Sequence, residues 1–219
     1  MKILVFDTET TGLPTERNAS ITETDKWPHI VQLSYVLYDT DMKKMILCKD
    51  HIIRIDPTIE ITEGSIAIHG ITQKICNKKG INIIDAINEF NTHLIQSDCV
   101  VGHNLSFDKR MIMVECIRNT LRQQFTVNKI RMPECCTMQF YKPQCAIERI
   151  SKNGYKYLKY PTLSETHEYL FNFKPKNTHD SMADVLICLR CYVYGLHEKQ
   201  DILKHGCSSV KELYTLYCL

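Results

Sequence analysis

The chain has 219 residues, 44% of them hydrophobic and 24% charged, with a formal net charge of +2 at pH 7. That length suits one domain with a full core beneath a single sheet, and the composition excludes a disordered or collagen-like chain. No apolar run approaches the roughly 20 residues of a membrane span, and a net charge so near zero announces no bulk affinity for nucleic acid.

The N-terminal apolar run is too short and too soon acidic for a secretory signal, so the chain reads as soluble and intracellular, cytoplasmic or nuclear. Eleven cysteines, scattered without a pairing pattern, fit free thiols in a reducing compartment. Cys135-Cys136 and Cys188-Leu-Arg-Cys191 have the look of metal half-sites. The second lies in an apolar helical run with no partner pair at zinc spacing, and reads as core cysteine on a helix.

In chain order, the apolar run from Ile3 reads as a short buried strand leading straight into Asp7, Thr8 and Glu9. Alternate side chains on a strand share a face, so Asp7 and Glu9 point one way and Thr8 the other. Like charges about 4 Å apart repel by roughly 4 kcal/mol at an effective dielectric near 20. Such a pair persists with a cation between its members or with one of them protonated. Thr10-Thr11-Gly12-Leu13-Pro14 then forms a turn, followed by a loop to about Pro28 that carries the lone tryptophan, Trp27. Ile30 to Tyr38 and Met45 to Ile55 read as two strands of a hairpin across Asp39 to Lys44, neighbours of the first strand in one sheet.

Thr62 to His69 reads as a short helix closed by Gly70, and Ile83 to Ile95 as a longer one. Cys99 to Val101 is a short strand ending at Gly102-His103-Asn104, and Leu105 to Leu121 an amphipathic helix with Asp108 near its first turn. Lys129 to Thr137 supplies a fifth strand, with Pro133 arguing for an edge or a break. Between Lys142 and Lys176 seven basic residues face three acidic ones, and Lys152 to Tyr160 interleaves lysines with Tyr155, Tyr157 and Tyr160. That stretch reads equally well as a single-strand platform and as a solvated basic loop. Thr162-Leu-Ser-Glu165 is a capping box opening a helix through Phe171. Ser181 to Leu196 is the next helix and Val210 to Leu216 a last one. There is no internal repeat, and the pattern as a whole predicts an α/β fold with a mixed sheet covered by helices.

One strand cannot surround a cation that prefers octahedral oxygen ligands, so Asp7 and Glu9 call for further carboxylates. Asp108, just beyond a strand end, and Asp184, at the opening of a helix, are well placed. His179 precedes Asp184 by five residues, which in a continuous helix sets the two about 140° apart. If Asp180 or Ser181 caps the helix instead, His179 belongs to the loop and can fold over the cleft that Asp184 faces.

Three stretches in order, Phe6-Asp-Thr-Glu-Thr-Thr-Gly-Leu13, Val101-Gly-His-Asn-Leu-Ser-Phe-Asp108 and His179-Asp-Ser-Met-Ala-Asp184, resemble the motifs of the DEDDh 3′-5′ exonucleases. This family includes the proofreading subunit of bacterial replicative DNA polymerase. Trp27 to Tyr35, Ile68-His-Gly-Ile-Thr72 and Tyr160-Pro-Thr-Leu163 extend the likeness over nearly the whole chain. The resemblance implies a ribonuclease H-like mixed five-stranded sheet flanked by helices, forming a single exonuclease domain over 1–219 whose last 20 or so residues are a helix or tail.

It also implies that Asp7, Glu9, Asp108 and Asp184 hold two divalent cations, Mg²⁺ or Mn²⁺, with Asp7 bridging both and His179 as general base. Four carboxylate charges balance two divalent ions, and an imidazole with an ordinary pKa near 6.5 can accept a proton near neutral pH. Thr10, Thr11 and Gly12 would then lie near the 3′-hydroxyl and Leu13 against the base, with Ile68, His69, Asn104 and Phe107 lining the pocket. His69 and His103 read equally well as satisfied structural histidines. The implied partner is a single-stranded DNA 3′ end, with a replication or repair partner a further implication. An exoribonuclease and a binding module without catalysis are the rival readings. Only 35 residues follow Asp184, which suggests a freestanding enzyme or small accessory subunit.

Overall fold

The computed structural model describes residues 1–196 and 199–219. Its first strand, β1 (Lys2–Thr10), is buried on both faces, as a continuous apolar run requires. Leu4 and Phe6 join one core, and Ile3 and Val5 join the other. Around it lie β2 (Ile30–Asp39) and β3 (Lys44–Ile52) on one side, and β4 (Cys99–Gly102) on the other.

Between β3 and β4 come α1 (Glu63–His69), α2 (Gln73–Lys79) and α3 (Ile83–Leu94). After β4 the chain forms α4 (Leu105–Arg118), a small hairpin of β5 (Thr126–Val127) and β6 (Ile130–Arg131), then β7 (Glu134–Cys136) and α5 (Thr137–Cys145). A second hairpin, β8 (Glu148–Ile150) and β9 (Lys156–Leu158), precedes α6 (Leu163–Phe171), α7 (Ser181–Leu196), α8 (Ile202–His205) and α9 (Ser208–Cys218).

The main sheet has five strands in the order β3-β2-β1-β4-β7. β1 pairs antiparallel with β2, which pairs antiparallel with β3, while β1–β4 and β4–β7 are parallel. This is the mixed, helix-flanked sheet that the resemblance implies.

The sequence places the fifth strand at Lys129 to Thr137, and here the structure differs. Ile130 and Arg131 turn back on β5, and only Glu134–Cys136, after Pro133, joins the sheet. Proline has no N–H for a ladder, and the strand starts directly behind it. α4 ends at Arg118 rather than Leu121, and β3 at Ile52 rather than Ile55. The expected terminal helix runs over Ser208–Cys218, with α8 before it. α2 and α5 carry little apolar periodicity and have no counterpart in the sequence reading.

Helix α3 and the start of α4 cover one face of the sheet, where Phe90 packs on Phe6 at 5.1 Å and edge-on to Tyr35 at 5.3 Å between ring centroids. α7 covers the other face through Met182, Val185, Leu186 and Leu189, with Tyr214 of α9 beside it. Arg190 of α7 ties this layer together inside the protein. It chelates Asp201 (3.0 and 2.8 Å), meets His167 and Tyr214 at 3.0 and 3.1 Å, and stacks 3.8 Å from the Phe171 ring. Cys188 and Cys191 are buried on the same helix, as core cysteines. Among the described residues no helix is long and apolar enough to cross a membrane.

Candidate active site

The C-terminal end of β1 is where the two cores open. Asp7 and Glu9 continue the face of Ile3 and Val5 and are only partly exposed, whereas Thr8 continues the face of Leu4 and Phe6 and is buried. Thr8 is where α4 is tied to the strand. Its N–H and its hydroxyl both donate to Oδ1 of Asp108, at 3.1 and 2.7 Å. Asp108 is itself 3% exposed, one turn into a helix that Asn104 opens at φ +67°.

The third part of the site is the start of α7. Asp180 caps it, its Oδ1 accepting from the N–H groups of Met182 (3.0 Å) and Ala183 (3.1 Å). Ser181 docks the helix on the sheet by donating its hydroxyl to the Asp7 carbonyl at 2.8 Å, and its N–H to Gln32 Oε1 at 3.3 Å. Gln32 and Ser34 in turn donate to Oδ1 of Asp50 on β3, at 2.9 and 2.8 Å. His179 therefore lies outside the helix, in a left-handed conformation at φ +78°. Such a conformation costs a non-glycine residue about 1 kcal/mol or more and tends to occur where a site demands it. Its N–H donates to Asp184 Oδ2 at 3.0 Å, and its exposed ring faces the cleft.

One ligand atom each from Glu9, His179 and Asp184 lies within 4.8 Å of the other two. The four carboxylates feel one another strongly. Burial, then the charges of Asp108, Asp184 and Glu9, hold the Asp7 carboxyl well above its ordinary range. Burial, then Asp184 and Asp108, push Glu9 up to about 8, and burial pushes Asp108 and Asp184 each to about 7. Among the described residues none of the four makes an ion pair with lysine or arginine. Asp184 Oδ1 is buried without any hydrogen-bond partner. An orphaned carboxylate oxygen beside three other unpaired carboxylates is the donor set of a hard divalent cation such as Mg²⁺ or Mn²⁺, so the residues fit the metal that the sequence calls for.

The turn after β1 is held rigidly. A register shift between Glu9 and Thr10 interrupts the pairing with β2, which resumes at Thr10 with Ile30; bulges of this kind often lie beside functional sites. Thr10 Oγ1 donates to Gly12 C=O (2.7 Å), and Thr11 exchanges bonds with His29 at 2.8 and 2.9 Å. His69 Nδ1 accepts from the Ile71 N–H at 3.0 Å, which leaves its Nε2 to donate to the Thr10 carbonyl at 3.2 Å. Both ring nitrogens are thus engaged inside the protein, and burial lowers the His69 pKa. His103, pushed down to about 4 by burial, is likewise satisfied between Thr137 and the Pro161 carbonyl.

Leu13 and Ile68 remain exposed at 81% and 57%, Asn104 is exposed, and Phe107 is partly buried against the core. His69 and His179 line a cleft of about 300 Å³ whose far wall is Leu216 and Tyr217 of α9. Nothing local in the sequence marks Thr8 as the partner of Asp108, the docking bonds of Ser181 to Asp7 and Gln32, or the α9 wall. Only the capping residue type before Asp184 gave a local signal.

A family model described as Exonuclease matches residues 4–192. Among solved structures, Escherichia coli exonuclease I in complex with a dT13 oligonucleotide has a TM-score of 0.66 at 16% identity, covering 89% of this chain and 41% of that one. The zinc-bound E. coli exonuclease I complex with single-stranded DNA gives 0.66 at 15% identity, over 98% and 42%. A product-bound exonuclease I gives 0.65 at 13%, over 98% and 45%. At these identities the likeness is one of fold, and this chain spans about two-fifths of the length of the first. No curated protein sequence matches.

Proposed function

The chain belongs to the exonuclease family, in its DEDDh, ribonuclease H-like 3′-5′ branch, and from that premise we propose that it removes nucleoside 5′-monophosphates from the 3′ end of single-stranded DNA. The observation that supports this reading is that Asp7, Glu9, Asp108 and Asp184 lie close enough to feel one another's charge, none of them paired with lysine or arginine among the described residues, with one buried carboxylate oxygen left over. Asp7, Glu9, Asp108 and Asp184 would hold two divalent cations, which would supply the Lewis acidity that activates a water and stabilises the departing 3′-oxygen of an in-line displacement.

The chain's own residues do the rest. Thr8 fixes the Asp108 carboxylate, and the His179 backbone fixes Asp184. A ring nitrogen of His179, in the loop that the Asp180 cap leaves free, takes the proton of the attacking water. Thr10, Thr11 and Gly12 seat the terminal 3′-hydroxyl, and Leu13 and Ile68 press on its base from either side. Asn104 and Phe107 close the pocket. His69 acts by holding the Thr10 carbonyl rather than by touching the nucleotide. The preference for DNA is supported by the oligonucleotides that the structural neighbours bind, dT13 and dA16.

The test is to incubate matched 5′-labelled DNA and RNA 12-mers with the protein in Mg²⁺, with an EDTA control. A ladder shortening from the 3′ end on DNA alone is the expected result. A ladder on RNA alone makes the enzyme an exoribonuclease, and binding without a ladder on either makes it a binding module.

A further inference from the structure

The β8–β9 hairpin lies outside the chemistry described above. Glu148 pairs with Leu158, Arg149 with Tyr157 and Ile150 with Lys156, and the Ser151 N–H extends the pairing to the Tyr155 carbonyl at 2.9 Å. Gly154, at φ +80°, closes the three-residue tip. A three-residue loop ending in a left-handed glycine is a favoured hairpin geometry, so the tip is well formed. Yet every residue of both strands is exposed, and the pair stands apart from the main sheet. Two strands alone are marginal in water, and Ile150, Tyr155 and Tyr157, at 68%, 74% and 50% exposure, bury little to support them.

Strand alternation puts Arg149, Tyr155 and Tyr157 on one face. Lys159 is committed to Glu165 at 2.7 Å, and Lys142 Nζ sits 4.1 Å over the Tyr160 ring. Arg149, Lys152 and Lys156, by contrast, make no ion pair among the described residues, and Tyr155 and Tyr157 make no ring contact there.

The position of the hairpin's root matters as much as its chemistry. The Lys159 N–H donates to the Ile147 carbonyl at 2.9 Å, and the Pro161 carbonyl accepts from His103 Nε2 at 3.0 Å. His103 stands between the last residue of β4 and the Asn104 that opens the Asp108 helix. The hairpin thus springs from the rim of the carboxylate site, and at about 3.3 Å per residue its tip stands roughly 15 Å beyond that root.

We propose that this hairpin is the platform for the single strand leading up to the scissile 3′ end, with Tyr155 and Tyr157 stacking on bases and Arg149, beside them, and Lys152, at the tip, meeting phosphates. The proposal rests on the exonuclease reading, because it needs a strand whose end lies in the site. Stacking on π-faces tolerates any base, which suits an enzyme that must accept whatever sequence precedes the end. Arg149 on the tyrosine face and Lys152 at the tip, both without an ion pair among the described residues, favour this occupant over a second protein, which would bury the opposite face of Ile150 and Leu158.

Fluorescence anisotropy of 5′-labelled dT12 and dT3 in EDTA tests it. Tyr155→Ala/Tyr157→Ala should weaken dT12 binding about thirtyfold or more, from two lost stacks, and shift dT3 less than threefold. Tyr155→Phe/Tyr157→Phe keeps both rings and should bind dT12 within threefold of wild type. Arg149→Gln/Lys152→Gln should lower the slope of log affinity against log salt by about 1.4. A dT12 affinity within threefold of wild type in the alanine variant, an equal loss on dT3 and dT12, or an unchanged salt slope overturns the proposal. Hairpin-dependent binding by a wild type that releases no nucleotide in Mg²⁺ overturns the exonuclease reading and leaves the platform standing.

Discussion

Without metal, the carboxylate site should make the protein less stable as pH rises, and Asp184→Asn should relieve much of that loss. Burial raises Asp184 from an ordinary value of 3.8 to about 7, and Glu9 from 4.5 to about 8. Near pH 3 both groups are protonated whether the chain is folded or unfolded, and they cost nothing. From about pH 4 upward the unfolded chain releases these protons while the folded chain keeps them, so the folded state binds more protons and its stability falls with pH. The penalty is complete above about pH 8.

For Asp184 alone the displacement corresponds to about 4 kcal/mol. The amide introduced by Asp184→Asn would leave a donor where Oδ1 now has no partner, so the net gain should be about 2–3 kcal/mol at pH 8, or roughly 5–10 °C in a chain of this size. Thermal melts in EDTA from pH 4 to 8 should show the wild type losing Tm progressively and the variant losing less. Added Mg²⁺ should raise the wild-type Tm most at the alkaline end. A wild-type Tm in EDTA that stays flat or rises between pH 5 and 8, or a variant less stable than wild type at pH 8, would refute the reasoning.

Other substitutions separate chemistry from support. His179→Ala should cost roughly 10²–10⁴-fold in turnover while the Mg²⁺-induced rise in Tm persists, because the backbone N–H at that position still holds Asp184. An undiminished rate would remove His179 from proton transfer. Thr8→Val deletes the 2.7 Å hydroxyl bond to Asp108 and should weaken Mn²⁺ binding about 10–100-fold by calorimetry, with little change in fold. Asp201→Ala leaves the Arg190 guanidinium buried without its carboxylate and should destabilise by about 3–5 kcal/mol in urea melts. A loss under about 1 kcal/mol would mean that solvent reaches Arg190.

How far the sequence could be read depended on how local each signal was. The strand carrying Asp7 and Glu9, the hairpin of β2 and β3, and the helix caps at Thr62 and Thr162 are all written in adjacent residues, and the structure has them. A cap at Asp180 or Ser181 was legible too; the structure has Asp180 in that place, and it is what frees His179 from the helix. Thr8 holding Asp108 was not, because the two are 100 residues apart and meet across a strand end. The Asp7–Ser181 and Ser181–Gln32 bonds that dock α7 are longer-range still. Ile130 and Arg131 looked like sheet, yet they pair locally with Thr126 and Val127, since a two-residue hairpin competes with a distant strand on equal terms. Leu216 and Tyr217 form a wall of the cleft only because α9 packs on α7, which no pattern within α9 announces.

The most direct measurement is single-turnover release of nucleotide from an oligomer labelled in its 3′-terminal residue, with the product identified by chromatography and Asp7→Asn alongside wild type. Labelled nucleoside 5′-monophosphate should be the first product in Mg²⁺, with none in EDTA and a rate at least about 10³-fold lower for a folded Asp7→Asn protein. Release of label only after internal or 5′ cleavage, or an Asp7→Asn rate equal to wild type, would contradict the exonuclease reading.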